Sequence, residues 1–219
     1  MGAIKFISKI SNFKCRFIDK SFNNRPFKLL DVGAGNHSAT KITSLFPNCE
    51  YYGLDISREY NNDSEDFRVM KDFFQLDLTY LDYSKIPDEF FDGIWMVHVI
   101  EHLHNGDLAL PKLLEKLKPG GYFYLEYPGE RSLHLPSMRG TLNFRDDPTH
   151  VKIYSVAQLQ EIFEANNCEV MACGTRRNWW YILGMPLRMI ESLIQKGYLQ
   201  GNIFWDILGF AEYVYAKKK

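Results

Sequence analysis

No apolar run in this chain approaches the roughly 20 residues that a membrane-spanning helix needs. The charges nearly cancel, with 26 Lys and Arg against 27 Asp and Glu, so no global field draws it to nucleic acid. The four cysteines, Cys15, Cys49, Cys168 and Cys173, form no CxxC pair. That spacing offers neither a thiolate metal clasp nor a dithiol redox motif, and suits small buried side chains in a reducing compartment. The opening "MGAIKFISKISNFKCRFIDK" lacks the unbroken apolar core of a secretory signal, and Phe6 stands where N-myristoylation needs Ser or Thr. There is no internal repeat and no low-complexity linker. The expectation is a cytoplasmic protein with a small-molecule partner and no nucleic acid.

A chain of 219 residues with 46% apolar content can bury one sizeable core, and the simplest organisation is a single domain over 1–219. Ile4, Ile7, Ile10, Phe13, Phe17 and Ile18 recur at helical spacing with Lys and Arg between them. This predicts an amphipathic N-terminal helix within 1–26, docked on the body rather than on a membrane surface. From residue 27 strand and helix signals alternate. "FKLLDVG", "CEYYGLDI", "FFQLDL", "FDGIWMVHVI", "YFYLEYP" and "CEVMACGTRR" read as strands, and "GFAEYVYAKKK" closes the chain as another. "SATKITSLFP", "NGDLALPKLLEKLKPGG" and "SVAQLQEIFEANN" read as helices. Such alternation argues for an α/β protein with a parallel sheet and helices on both faces. The polar stretch 129–152 follows the fifth strand and so falls at the carboxyl edge of the sheet, where long loops carry function. The aromatic-rich stretch 178–206 reads as a helical insertion that packs as a lid or forms a homodimer surface.

The turn in "KLLDVGAGNHS" exposes backbone N–H groups between a strand and a helix, which suits a nucleotide. Asp55 ends the next strand, about twenty residues on, where a carboxylate can hold both ribose hydroxyls. Two features argue against a nicotinamide dinucleotide. Ser38 replaces the third glycine of GxGxxG, and Asp31 would oppose a pyrophosphate. An acid there suits a cofactor with an ammonium and no phosphate, such as S-adenosylmethionine.

"LLDVGAGNHS", "YYGLDIS", "FQLDL", "FDGIWMVHVIEHL" and "LKPGGYFYLEYP" stand in the order and spacing of class I S-adenosylmethionine-dependent methyltransferases, and residues 27–128 resemble that family. The resemblance implies a Rossmann-like, seven-stranded, mostly parallel sheet with an antiparallel C-terminal strand. It implies that Asp31 contacts the methionine ammonium and that Gly33 and Gly35 line the methionyl and ribose moieties. Asp55 would take the ribose hydroxyls, Ile56 would pack on the adenine, and Asp77 with the Leu78 backbone would meet the adenine edge. His98 would lie near the reactive methyl. One departure is His37, which stands where the family prefers a glycine.

Methyl transfer from a sulfonium is an in-line displacement governed by positioning and desolvation, and a hydroxyl acceptor also needs a base. The candidates are His98, Glu101, His102, His104, Glu126, His134 and His150. Location in the irregular segment favours His150, then His134. Asp146, Asp147 and His150 in "DDPTH" could hold a metal, but Asp-Pro also initiates ordinary turns and no metal is assigned. Arg131, Arg139 and Arg145, with Lys152, Arg176 and Arg177, suggest an anionic acceptor such as a sugar nucleotide. "RGTLNFRDDPTHVKIYS" is similar to segments of bacterial methyltransferases of cell-surface glycan pathways. The expectation is O-methylation of a sugar or sugar nucleotide. The alternatives are N-methylation of a small amine and a non-catalytic protein that binds the cofactor.

Overall fold

A computed structural model describes Lys9 and residues 11–219. Seven strands form one sheet in the order β3-β2-β1-β4-β5-β7-β6. They are β1 (Phe27–Val32), β2 (Cys49–Asp55), β3 (Asp72–Gln75), β4 (Phe91–Val97), β5 (Leu117–Pro128), β6 (Cys168–Thr175) and β7 (Ala211–Lys218). The first five run parallel, and β7 lies antiparallel to both β5 and β6. The chain order reverses between β1 and β4, which opens a crevice at their carboxyl ends, the usual ligand position in open α/β sheets.

Alternation along the strands sorts side chains onto two faces. On one face Leu30, Val32, Ile94, Met96, Phe123 and Leu125 pack with Leu110, Leu113 and Leu114 of α4 (Gly106–Lys116) and Leu159 and Phe163 of α5 (Val156–Ala165). On the other, Leu29, Tyr51, Trp95, Tyr124 and Tyr215 pack with α1 (Phe13–Phe22) and α2 (Ser38–Leu45). Cys15, Ile18 and Phe22 bury one side of α1, and Ser21 Oγ lies 2.7 Å from the Tyr215 hydroxyl in the buried seam. The N-terminal helix expected within 1–26 therefore docks on the sheet over its described part. Residues 1–8 and 10 lie outside the described residues.

Several boundaries differ from the sequence expectation. The helix before β5 stops at Lys116, and the strand begins at Leu117, where Leu117 pairs with Phe91 before the Pro119–Gly121 irregularity. A short helix unmarked by apolar periodicity, α3 (Ser64–Val69), forms under a capping box made by Asp63 and Asp66. The insertion contains α6 (Trp179–Leu183), α7 (Met185–Lys196) and α8 (Trp205–Leu208). Cys173 is exposed, against the expectation of buried cysteines; Cys15 and Cys168 are buried. Among the described residues no helix is long and apolar enough to cross a membrane.

Candidate active site

The turn after β1 is built from backbone. Gly33 has φ +82°, and its N–H donates to the Leu54 carbonyl. A Cβ on Gly33 would lie 2.4 Å from Val99 Cγ2, and one on Gly35 would lie 2.4 Å from Tyr60 Cδ1. His37 takes a left-handed conformation, φ +57° and ψ +33°, which explains why a glycine suits this position. Its ring is tied down by Asp66, with Nδ1 at 2.7 Å from Oδ2. Burial works against the Asp66 charge, but bonds from the Asp63 backbone, Thr40 and His37 hold its pKa at about 2. A fixed anion under the imidazole thus offsets the backbone strain, of order 1–2 kcal/mol for a non-glycine residue.

Asp31 is buried at the end of β1, and its Oδ2 accepts from Ser38 Oγ at 2.5 Å and Tyr51 Oη at 2.6 Å. Burial and the Asp31 charge push the Tyr51 phenol well above its usual range, so it remains a donor. Asp55 ends β2 half-buried and accepts from the Ser57 N–H. Next to it Ile56 is 64% exposed, an apolar side chain with no cover of its own. Asp77 caps a short turn, accepting from the Thr79 N–H and hydroxyl, and Leu78 is buried beside it. The glycines without room for a Cβ, the strand-end carboxylate and the bare apolar side chain thus lie at the carboxyl ends of β1 and β2.

His98 follows β4 in a left-handed conformation, and its N–H donates to the Glu126 carbonyl. Its ring lies between two carboxylates, Nδ1 at 3.2 Å from Glu101 Oε1 and Nε2 at 3.3 Å from Glu126 Oε1. Trp205 lies over it at 5.0 Å between ring centroids. Burial opposes protonation, but Glu101 and Glu126 outweigh it and raise the imidazole pKa to about 9. At neutral pH His98 is a cation. Glu126 also accepts from Tyr124 Oη at 2.5 Å and Arg176 Nη1 at 2.7 Å. Burial would raise its pKa, but Arg176 and His98 hold it far below the ordinary carboxylate range. The Arg176 guanidinium closes the network by gripping both oxygens of Asp206.

A cavity of about 190 Å³ opens on this network. His98, Glu126, Arg176 and Asn178 supply its polar wall, and Phe13, Tyr181 and Trp205 supply aromatic faces. Glu126 and Arg176 were visible in the sequence only as one acid and one cation among many. Asp206 carried no signal, because it meets Arg176 from a different element 30 residues on.

The segment 129–152 divides. His150 is nearly buried behind Glu101, with Nε2 at 4.0 Å from Glu101 Oε1, and does not line the cavity. His134, Arg131, Arg139 and Arg145 are exposed and also lie outside the cavity lining. Asp146 turns into its own loop, accepting from the Ser137 hydroxyl and from the backbone N–H groups of Met138, Leu142 and Asn143. It therefore organises the loop instead of joining Asp147 and His150 in a metal set.

A methyltransferase domain model matches residues 6–172, and the chain belongs to that family. The seven-stranded sheet is that of S-adenosylmethionine-dependent methyltransferases. A curated relative is the mitochondrial ubiquinone biosynthesis O-methyltransferase of Dictyostelium discoideum, 24% identical over 200 residues. The match covers 77% of this chain and 62% of that protein, so the chain spans under two thirds of the relative's length. Among solved structures, a SAM-dependent methyltransferase from Archaeoglobus fulgidus superposes with a TM-score of 0.62 at 19% identity, covering 97% of this chain and 98% of that one. The phosphoethanolamine N-methyltransferase 2 of Haemonchus contortus, in complex with S-adenosyl-L-methionine, gives 0.61 at 15% identity, covering 87% and 48%.

Proposed function

We propose that this methyltransferase methylates a hydroxyl of a small polar acceptor, a sugar or sugar nucleotide of a surface glycan, and that the acceptor enters the cavity beside His98. The carrying observation is that cavity, where aromatic faces stand opposite hydrogen-bonding groups at the carboxyl ends of β4 and β5. Stacking faces with a few convergent polar groups suit a sugar ring. The exposed Arg131, Arg139 and Arg145 supply cations for an anionic portion reaching out of the cavity. S-adenosylmethionine supplies the methyl group on a sulfonium. Asp31 and the turn at Gly33 and Gly35 hold its amino-acid end, Asp55 its ribose, and Ile56, Asp77 and Leu78 its adenine. His98 borders the transfer point as a charged donor.

An acceptor hydroxyl must lose its proton. His98 is already protonated, and His134 lies on the surface. His150 remains the proposed base; it is held by its Nδ1, 2.7 Å from the Phe144 carbonyl, and because it stands behind Glu101 and outside the cavity lining, the acceptor hydroxyl must reach past Glu101 to meet its Nε2. The O-methyltransferase relative favours oxygen as the acceptor atom. N-methylation is the second reading, favoured by the excess of acid in the buried network, where Glu101, Glu126 and Asp206 face His98 and Arg176.

Thermal shift and acceptor turnover test the proposal. S-adenosylhomocysteine should raise the melting temperature and NAD should not, and Asp55→Ala should remove the shift. A panel of sugar nucleotides and small amines should release S-adenosylhomocysteine with the sugars. Turnover only with the amines overturns the oxygen acceptor, and cofactor binding without turnover on any acceptor leaves a non-catalytic binder.

A further inference from the structure

A second cluster of ligand-type side chains lies beside His98, through Glu101. One carboxylate oxygen of Glu101 and one ring nitrogen each of His102 and His150 all lie within 4.8 Å of one another. The two histidines come from segments 48 residues apart and meet with ring centroids 4.9 Å apart.

The hydrogen bonds around this group fix which atoms are free. His150 Nδ1 is committed to the Phe144 carbonyl. Thr149 Oγ donates to Asp147 Oδ1 at 2.5 Å, so it can only accept from His102 Nδ1, which lies 2.9 Å away. Each ring is thus held through its Nδ1, which leaves Nε2 as the nitrogen available to a ligand. Orientation of a ring through its second nitrogen is the support that metal-bound histidines show. Glu101 is 1% exposed, and its Oε2 has no hydrogen-bond partner. His150 Nε2 lies 4.0 Å from Glu101 Oε1 and 3.8 Å from Asp147 Oδ2. Nitrogen and carboxylate oxygens thus face one another beyond direct hydrogen-bond distance, an arrangement that a bridging cation would close.

We propose that Glu101, His102 and His150 bind a divalent transition-metal ion at the edge of the acceptor cavity. Two imidazoles and a carboxylate suit zinc, manganese, iron(II) or cobalt(II) better than magnesium or calcium, which prefer all-oxygen shells. Ligands about 2.1 Å from a tetrahedral ion stand roughly 3.4 Å apart, so a contraction of about an ångström by side-chain rotation closes the site. Three protein ligands leave positions open for an oxygen of the acceptor. The excess of buried acid on the neighbouring network, three carboxylates against two cations, favours an added positive charge. With the ion bound, Nε2 of His150 serves as a ligand instead of the base proposed above. The use of the ion on an acceptor hydroxyl rests on the reading above; the binding of the ion does not.

The test is cobalt(II) titration of the full-length, tag-free protein, followed by visible d–d absorption and by calorimetry. Stoichiometric binding is expected, weakened at least tenfold in both His102→Ala and His150→Ala, with circular dichroism showing that each variant stays folded. Absence of stoichiometric binding overturns the proposal, as does affinity unchanged in both variants. So does an ion lost only in Asp63→Asn, which would place it on the other histidine–carboxylate cluster, His37 with Asp63 and Asp66. S-adenosylhomocysteine binding measured on the same samples reads the methyltransferase function separately, so its failure and that of the metal site are distinguishable.

Discussion

Replacing Arg176 with methionine should test the energetics of the site most directly. The guanidinium makes three charged bonds, to Asp206 at 3.0 and 2.8 Å and to Glu126 at 2.7 Å. Both carboxylates are 2% exposed. Methionine fills similar volume but leaves Asp206 with only the Asn178 N–H and leaves Glu126 with His98 and the Tyr124 hydroxyl. Removing one partner from a buried ion pair costs about 3–5 kcal/mol. In a chain of this size each kcal/mol corresponds to roughly 2–4 °C, so the melting temperature should fall by about 6–20 °C. The loss should depend on pH with a definite sign. Arg176 depresses the Glu126 pKa, so its contribution is present above the unfolded carboxylate value near 4.5 and is lost on acidification. In the variant the stranded carboxylates take up protons sooner, and the gap to the wild type should hold from pH 7.5 to pH 5 and narrow as pH falls from 5 toward 3. Thermal melts followed by circular dichroism at pH 7.5, 5 and 3 measure it. A loss under 2 °C at pH 7.5, or a gap that widens on acidification, refutes the reasoning.

Two further outcomes follow from the same geometry. His98 has a folded pKa raised to about 9 from 6.5, so its charge stabilises the fold fully below pH 6.5, and that contribution disappears as pH rises through 9; His98→Gln should flatten the stability profile over this window, and an unchanged slope in urea titrations would remove the charged imidazole. Gly33→Ala should cost both stability and S-adenosylhomocysteine affinity, since its Cβ meets Val99 in a strained backbone, whereas Gly120→Ala, also at positive φ but with open space around it, should lose about 1 kcal/mol and keep the affinity.

Much of the fold was legible because it depends on local pattern. Strand-length apolar runs between helical periods specify a parallel sheet, and the turn residues Gly33 and Gly35 mark where its crevice opens. Residues beside that turn, Asp31 and Asp55, could be placed by distance along the chain because each ends a strand of known direction. His37 shows the limit of that reasoning. Its sequence reads as a departure from glycine, but the fold supplies Asp66 from another helix to hold the ring while the backbone stays left-handed.

The sequence by itself determined the class of sheet, the glycine turn after the first strand and the place of the acids beside it, because these rest on contacts within a strand, a turn or an adjacent βα unit. Only the tertiary structure decided which polar groups work together. Location in one loop grouped His134, His150 and three arginines, yet folding buries His150 behind Glu101 and leaves the others at the surface. It also draws Arg176 to Asp206 and Glu126 across 30 and 50 residues. The physical reason is that a buried charge must find its counter-charge wherever the fold brings one near, and sequence spacing carries no record of that pairing.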